Sequence, residues 1–279
     1  MSERALGPIH WLYGLSDYLE YVEEHDAKKL VDFIIKLSYA DDPIFKLQET
    51  GSIHEFAFWL TKFTKDVEML TLIQKYVRDG YDTGVLPDLF SRGQVQSKIW
   101  LATELAKIKQ GYDMVYVYAG WFGQLVHYLE SAGITYNKAR IFDLDPTACL
   151  VSDKVFNLNK LDNWQVKAIC TDLDNIDWNS NGATYNVTED IQEQTMPSLI
   201  INTSAEHMTD DWFFAIKFKE FNLQPMMAIQ TNNLHDIEEH INCVHSVDHM
   251  KKKYPMSEIY FEGELQLKGY KRFMLIGRP

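Results

Sequence analysis

Two hydrophobic rhythms divide the chain. Up to about Gln110 the apolar residues recur at helical spacing; after Gly111 they come in short runs separated by amphipathic stretches. In the first part Leu19, Val22, Leu30, Phe33, Ile34 and Leu37 predict a helical stretch over 17–39, with a break near His25 and Asp26. Asp42-Pro43 marks a turn. Ser52 and Glu55 have capping-box spacing, and Phe56, Trp59, Leu60 and Phe63 follow on one helical face. Another helix is expected over 66–77, closed by Asp79-Gly80, and a Pro87-containing loop over 84–93. A last helix over 94–110 carries Val95, Ile99, Leu101, Leu105 and Ile108.

Beyond Gly111, strands are expected over 114–118, 139–143, 164–170, 198–202 and 225–230, with helices over 124–132, 146–157, 210–221 and 234–245. Short apolar strands alternating with helices imply an α/β domain with parallel pairing and crossover connections. The tail departs from that alternation. Strands over 258–267 and 271–276 leave room only for a turn at Gly269, so they should form an antiparallel hairpin. The polar, Asn-rich stretch over 174–194 reads as a long surface loop or insertion. The expected organisation is a helical N-terminal region over 1–93 followed by a Rossmann-like domain over 94–279.

Composition narrows the function classes. With 279 residues, 46% of them hydrophobic, the chain can build one large core or two unequal ones, and disorder is not expected. No apolar run is long enough for a membrane span, and the N-terminus lacks a secretory pattern. Cys149, Cys170 and Cys243 form no Cys-x-x-Cys pair, which suits small core residues in a reduced, cytoplasmic protein. A net charge of −13 argues against an extended phosphate-backbone grip; Lys251, Lys252, Lys253, Lys268, Lys271 and Arg272 are the one basic cluster, read first as a solvated face.

The strongest chemical signal begins at Val115, where Val-Tyr-Val-Tyr-Ala-Gly-Trp-Phe-Gly runs a strand into a glycine turn and then a helix. Glycine there lets backbone approach a ligand closely, and the following helix N-terminus favours a polar or anionic group. The next strand ends in Asp143, placed to accept hydrogen bonds from ribose hydroxyls, and Asp145-Pro146 reads as a helix cap and first turn.

Gly120-Trp121-Phe122-Gly123, Asp143-Leu144-Asp145-Pro146, Cys170-Thr171-Asp172-Leu173 and the closing hairpin resemble successive motifs of class I S-adenosylmethionine (SAM)-dependent methyltransferases, from Gly111 to Gly277. Ser91-Arg92-Gly93-Gln94 with Ser97-Lys98-Ile99-Trp100, Asn202-Thr203-Ser204-Ala205-Glu206-His207-Met208, and Tyr270-Lys271-Arg272-Phe273-Met274-Leu275-Ile276-Gly277 resemble uncharacterised methyltransferase-like proteins of tailed bacteriophages, which would place the chain in a host cytoplasm. The resemblance implies a seven-stranded, mostly parallel sheet. It also implies that Ala119, Gly120 and Gly123 surround the methionine moiety, that Asp143 binds ribose and that Asp172 meets the adenine amino group. Trp121, Leu144 and Leu173 flank these positions and complete the expected cofactor set. Ala119 and Trp121 stand where the family pattern has its first and middle glycines, and Val117 or Tyr116 replaces the usual acidic residue of the first strand.

By the same resemblance the loop after the fourth strand lies beside the transferred methyl. It lacks the Asn-Pro-Pro-Tyr signature and a Pro-Cys nucleophile, and offers Asn202, Glu206 and His207 as catalytic candidates, with Glu206 holding the imidazole as it accepts a proton. The competing reading makes Asn202 and Ser204 helix caps and leaves Glu206 and His207 on the surface. Ser204, Gln230 and Asn232 are candidates for the substrate pocket; Gln94, Lys98 and Trp100 for a lid, against a plain helix start capped by Ser91. His245 and His249 have chelating spacing, but no third ligand is identifiable among His235, Glu238, Glu239 and His240, and no metal is expected. The leading expectation is a SAM-dependent methyltransferase acting on an O or N nucleophile of an unknown acceptor, with aminocarboxypropyl transfer as a related version. An NAD(P)-dependent oxidoreductase and a non-catalytic binding or assembly protein are the alternatives.

Overall fold

The computed structural model describes residues 10–39, 90–156 and 164–279. The capping box at Ser52 and Glu55, the helix over 66–77 and most of the loop over 84–93 fall outside the described residues. The chain divides into two compact units, Met1–Trp100 and Leu101–Pro279.

In the first unit α1 (His10–Tyr21) packs against α2 (His25–Tyr39), burying Leu12, Leu15, Leu19, Ala27 and Val31. The break falls just before His25, where Glu23 takes a left-handed conformation (φ 60°), and the first helix begins at His10 rather than Asp17. A Cβ on Gly14 would stand 1.9 Å from the Phe90 carbonyl oxygen, so glycine permits the close backbone contact there. Next comes α3 (Arg92–Ile108), opened by Ser91, whose Oγ accepts from Gln94 N at 3.4 Å.

The second unit is a Rossmann-like α/β domain. Its seven-stranded sheet is formed by β1 (Gly111–Tyr118), β2 (Thr135–Asp143), β3 (Val166–Cys170), β7 (Leu199–Asn202), β8 (Met226–Asn232), β9 (Glu258–Leu267) and β10 (Tyr270–Arg278). Their order across the sheet is β3-β2-β1-β7-β8-β10-β9. All pairings from β3 to β8 are parallel, whereas β10 runs antiparallel to both β8 and β9. Val117 pairs with Ile141 on one side and Ile201 on the other, and every residue of β7 and β8 is buried. Strands covered on both faces read as continuous apolar runs, which is why they were visible in the sequence. The outer strand β9 carries Glu258, Glu262 and Glu264, a charged edge that discourages pairing with another chain.

The expected helices over 124–132 and 146–157 are α4 (Gln124–Ser131) and α5 (Pro146–Phe156). Asp145 caps α5, accepting from Thr147 N at 2.8 Å and Ala148 N at 3.2 Å. The expected helix over 210–221 is two single turns, α6 (Asp211–Phe214) and α7 (Phe218–Phe221), separated by Lys217 at φ 51°. That break lets Phe213, Ile216 and Phe218 all turn inward. The expected helix over 234–245 is absent. Its backbone is instead tied outward by Leu234 N to Asn232 Oδ1, Asn242 N to Glu206 O and Val244 N to Asn232 O. Last comes α8 (Val247–Lys253), capped by Ser246 Oγ.

The stretch over 174–194 is not a loop but mostly a second, antiparallel sheet of β4 (Asp177–Asn179), β5 (Gly182–Asn186) and β6 (Gln192–Thr195). Ala183, Tyr185 and Val187 alternate inward and join Tyr116 and Phe142 in the core. Arg140 of β2, fully buried, clasps Glu193 of β6 with Nε–Oε2 at 2.8 Å and a second nitrogen to Oε1 at 2.9 Å. It also donates to the carbonyls of Ala139 and Trp164. Burial alone would raise the Glu193 carboxyl, but the hydrogen bonds and charge of Arg140 outweigh it and hold the group below its ordinary value.

Candidate functional site

The glycine turn is bent by residues that are not glycine. Ala119 and Trp121 both lie in the left-handed region, at φ 47° and 49°, and Gly123 follows at φ 72°. A side chain in that region costs roughly 1–2 kcal/mol per residue, and such strain concentrates where a site needs it. Gly120 is required for a different reason: a Cβ there would lie 2.5 Å from Ile141 Cγ2. The turn is held from β2, with Gly120 N donating to Phe142 O at 3.2 Å and Trp121 N to Asp143 Oδ2 at 2.7 Å. The N-terminus of α4, directly beyond, has no side-chain cap.

At the carboxyl ends of β1, β2, β3 and β7 the chain leaves a cavity of about 320 Å³. One part of its wall is Ala119, Asp143, Leu144, Asp172 and Leu173, five of the eight residues expected to hold cofactor. Gly120, Trp121 and Gly123 shape the turn behind Ala119 and are not part of that wall. The other part is His207, Met208, Thr209 and Trp212, all from the segment after β7. Leu144 is exposed, offering an apolar surface at the rim.

The carboxylates keep capacity for a ligand. Asp143 accepts from Trp121 N and from Asp145 N at 3.0 Å, two of the roughly four lone-pair positions a carboxylate offers. Asp172 accepts from Asp174 N at 3.1 Å. Trp212 is buried, with no hydrogen-bond partner for its indole N–H among the described residues. An unmet donor beside a cavity is a costly arrangement that a ligand acceptor relieves.

Of the three catalytic candidates, His207 reaches the cavity wall, whereas Asn202 and Glu206 are turned inside. Asn202 donates to Met208 Sδ at 3.2 Å and accepts from Ser204 N at 2.9 Å, fixing the loop. Glu206 Oε1 is held by Asn232 Nδ2 at 2.8 Å and by Arg272. Ser204 makes no side-chain cap, although its carbonyl accepts from His207 N at 3.0 Å in a 3-10 turn. Gln230 and Asn232 lie off the cavity wall: Gln230 donates to Met274 Sδ at 3.4 Å, and Asn232 braces Glu206 and Leu234. Lys98 Nζ pairs with Gln94 Oε1 within α3.

Four of the six residues of the basic cluster are spent on neighbours. Lys251 pairs with Asp248 and Glu262, Lys253 with Asp210, Lys271 with Glu264, and Arg272 with Glu206. Cys149 and Cys243 are buried, as expected of core residues, but Cys170 is exposed at the end of β3. No described helix is long and apolar enough to cross a membrane.

Trp212, Met208 and Thr209 were missed because nothing local marks them; only the folding of the post-β7 segment over the crevice brings them to the wall. His240 was visible as one of four histidines, but its ring now stands 4.6 Å from that of His207, a contact across many residues of irregular chain.

Together these features define a Rossmann-like α/β domain with a ligand crevice at the carboxyl ends of its strands. No family model and no curated protein sequence matches the chain. Among solved structures it is similar to magnesium protoporphyrin IX methyltransferase from Synechocystis PCC 6803 with bound SAM, at 14% identity and TM-score 0.46, covering 72% of this chain and 86% of that one. It is similar to the N-methyltransferase NodS from Bradyrhizobium japonicum WM9 at 9% identity and TM-score 0.46, covering 66% and 94%. It is also similar to the ribosomal protein L11 methylase from Lactobacillus delbrueckii subsp. bulgaricus at 11% identity and TM-score 0.40, covering 66% and 78%.

Proposed function

We propose that the crevice binds SAM and that the domain transfers its methyl group to an oxygen or nitrogen nucleophile of an acceptor molecule. The observation that carries this reading is the convergence of Asp143, Leu144, Asp172 and Leu173 with the strained Ala119 turn on one cavity. At about 320 Å³ it falls at the small end of the range for small-molecule sites. Asp143 receives the ribose hydroxyls on its remaining lone pairs, Asp172 meets the adenine amino group, and Ala119, where the glycine turn meets the cavity, admits the methionine portion. Bound there, SAM supplies an electrophilic methyl on a sulfonium that leaves as a neutral thioether.

The chain's own contribution is mainly alignment, since orientation of two reactants can lower a barrier by about 7–11 kcal/mol. His207, Met208, Thr209 and Trp212 form the acceptor end of the same cavity. Buried Asn202 and Glu206 hold the loop so that the His207 imidazole faces the acceptor.

Calorimetric titration with SAM, S-adenosylhomocysteine and NADH tests the assignment, with Asp143→Ala as the control. Micromolar binding of SAM or its product, lost in Asp143→Ala, is expected. Binding of NADH alone would move the chain to nicotinamide chemistry; silence toward all three would leave a Rossmann-like scaffold used for assembly.

A further inference from the structure

Three side chains at the acceptor end of the cavity converge in a way the cofactor reading does not need. Glu206, His207 and His240 each present one potential ligand atom, and these three atoms all lie within 4.8 Å of one another. Metal bonds to nitrogen and oxygen of about 2.0–2.2 Å bring neighbouring ligands to about 3–3.5 Å apart, so small side-chain rotations close the set.

Two independent features indicate a ligand there. Glu206 is 1% exposed, and although Oε1 is braced by Asn232 and Arg272, Oε2 is buried with no hydrogen-bond partner. A half-met carboxylate in the interior is unfavourable unless something binds it. His240 Nδ1 stands 3.1 Å from the Leu234 carbonyl oxygen, which can only accept. Nδ1 therefore carries the hydrogen and Nε2 presents a lone pair, the outer-shell arrangement that orients a metal-binding imidazole. The histidine stack at His235, His245 and His249 differs. There His235 Nε2 meets His245 Nδ1 at 3.1 Å, and His249 Nδ1 accepts from His245 N at 3.3 Å, so three of the nitrogens are engaged among themselves.

We propose that Glu206, His207 and His240 bind a divalent transition metal of the zinc class at the acceptor end of the cavity. Two imidazoles and one carboxylate suit zinc, cobalt or nickel better than the all-oxygen shells of magnesium and calcium. Arg272 offsets charge on Oε1 and fixes the carboxylate's direction. His207 lies on the cavity wall, which sets such an ion beside the acceptor end of the cavity. This role rests on the methyl-transfer reading. An acceptor hydroxyl held at such an ion would be acidified and give its proton to water, and a lone pair of the resulting oxyanion would form the new bond to the methyl carbon. The pair of the broken carbon–sulfur bond stays on sulfur.

The test is titration of untagged, chelator-treated protein with Co²⁺, read by its visible absorption, alongside S-adenosylhomocysteine calorimetry on the same samples. One Co²⁺ per chain is expected, displaced by Zn²⁺, with affinity reduced at least about tenfold in His240→Ala and Glu206→Gln and unchanged in His249→Ala. Should Glu206→Gln fail to fold because Arg272 loses its partner, His240→Ala carries the comparison alone. Absence of stoichiometric Co²⁺ binding overturns the proposal. So does binding that survives His240→Ala but disappears in His249→Ala, which places the ion on the surface stack. S-adenosylhomocysteine binding without Co²⁺ removes the metal site and leaves methyl transfer standing. Co²⁺ at the cluster without S-adenosylhomocysteine binding keeps the site and removes methyl transfer.

Discussion

Protonation of His127 should lower the stability of the second unit as pH falls. His127 lies in α4, the helix that the Gly123 turn opens, and burial pushes its imidazole down to about 4. In the unfolded chain a histidine titrates near about 6.5. The folded value is the lower one, so as pH falls the unfolded state takes up the proton first and stability is lost. The contribution is intact above about 6.5 and declines by about 1.4 kcal/mol per pH unit, levelling off near the folded value. The total is about 3 kcal/mol, and about 2 kcal/mol of it appears by pH 5, a large share of the roughly 5–15 kcal/mol that holds a domain together. Urea denaturation of wild type and His127→Gln at pH 7.5 and pH 5 measures it, the variant removing the contribution of other titrating groups. The stability difference between the two proteins should shift by about 2 kcal/mol in the variant's favour on going to pH 5. Identical pH dependence in both would refute the assignment of a neutral, buried imidazole.

Further predictions follow from the same contacts. Glu193→Ala strands the fully buried Arg140 and should cost about 3–5 kcal/mol in thermal or chemical denaturation, with new proteolytic cleavage in the β4–β6 sheet; a loss below about 1 kcal/mol would mean the pair is not buried as described. Ala119→Gly relieves a left-handed conformation at φ 47° and should stabilise the domain by about 1 kcal/mol after the added chain entropy is counted, whereas Gly123→Ala should destabilise it by a similar amount. Opposite signs would contradict the strained turn. Gly14→Ala places a Cβ 1.9 Å from the Phe90 carbonyl oxygen and should lower the melting temperature of the full chain, a result that an unchanged melting curve would exclude.

What could be read from the chain in advance was whatever depends on local chemistry. Apolar runs marked the buried stretches of β1, β7 and β8, and Gly269 marked the hairpin because a two-strand tail leaves no length for a crossover. Asp145-Pro146 announced the start of α5, and Asp143 stood at a strand end where the crevice of an open parallel sheet must lie. The failures share one cause. The Asn-rich stretch over 174–194 looked like a loop because its polar residues outnumber the alternating Ala183, Tyr185 and Val187, and that alternation matters only once Tyr116 and Phe142 supply a surface to pack on. The helix expected over 234–245 lost to Glu206 and Asn232, whose backbone carbonyls take the Asn242 and Val244 amides that a helix would have used internally.

The sequence alone therefore determined the α/β class, the sheet's antiparallel tail and the position of Asp143, because periodicity, turn chemistry and strand ends are properties of neighbours along the chain. Only the tertiary structure decided that Asn202 and Glu206 face inward while His207 faces the cavity, that Trp212 lines it, and that His240 joins His207. Those placements depend on which distant groups satisfy each buried carboxylate and amide, and no spacing within the sequence records that competition.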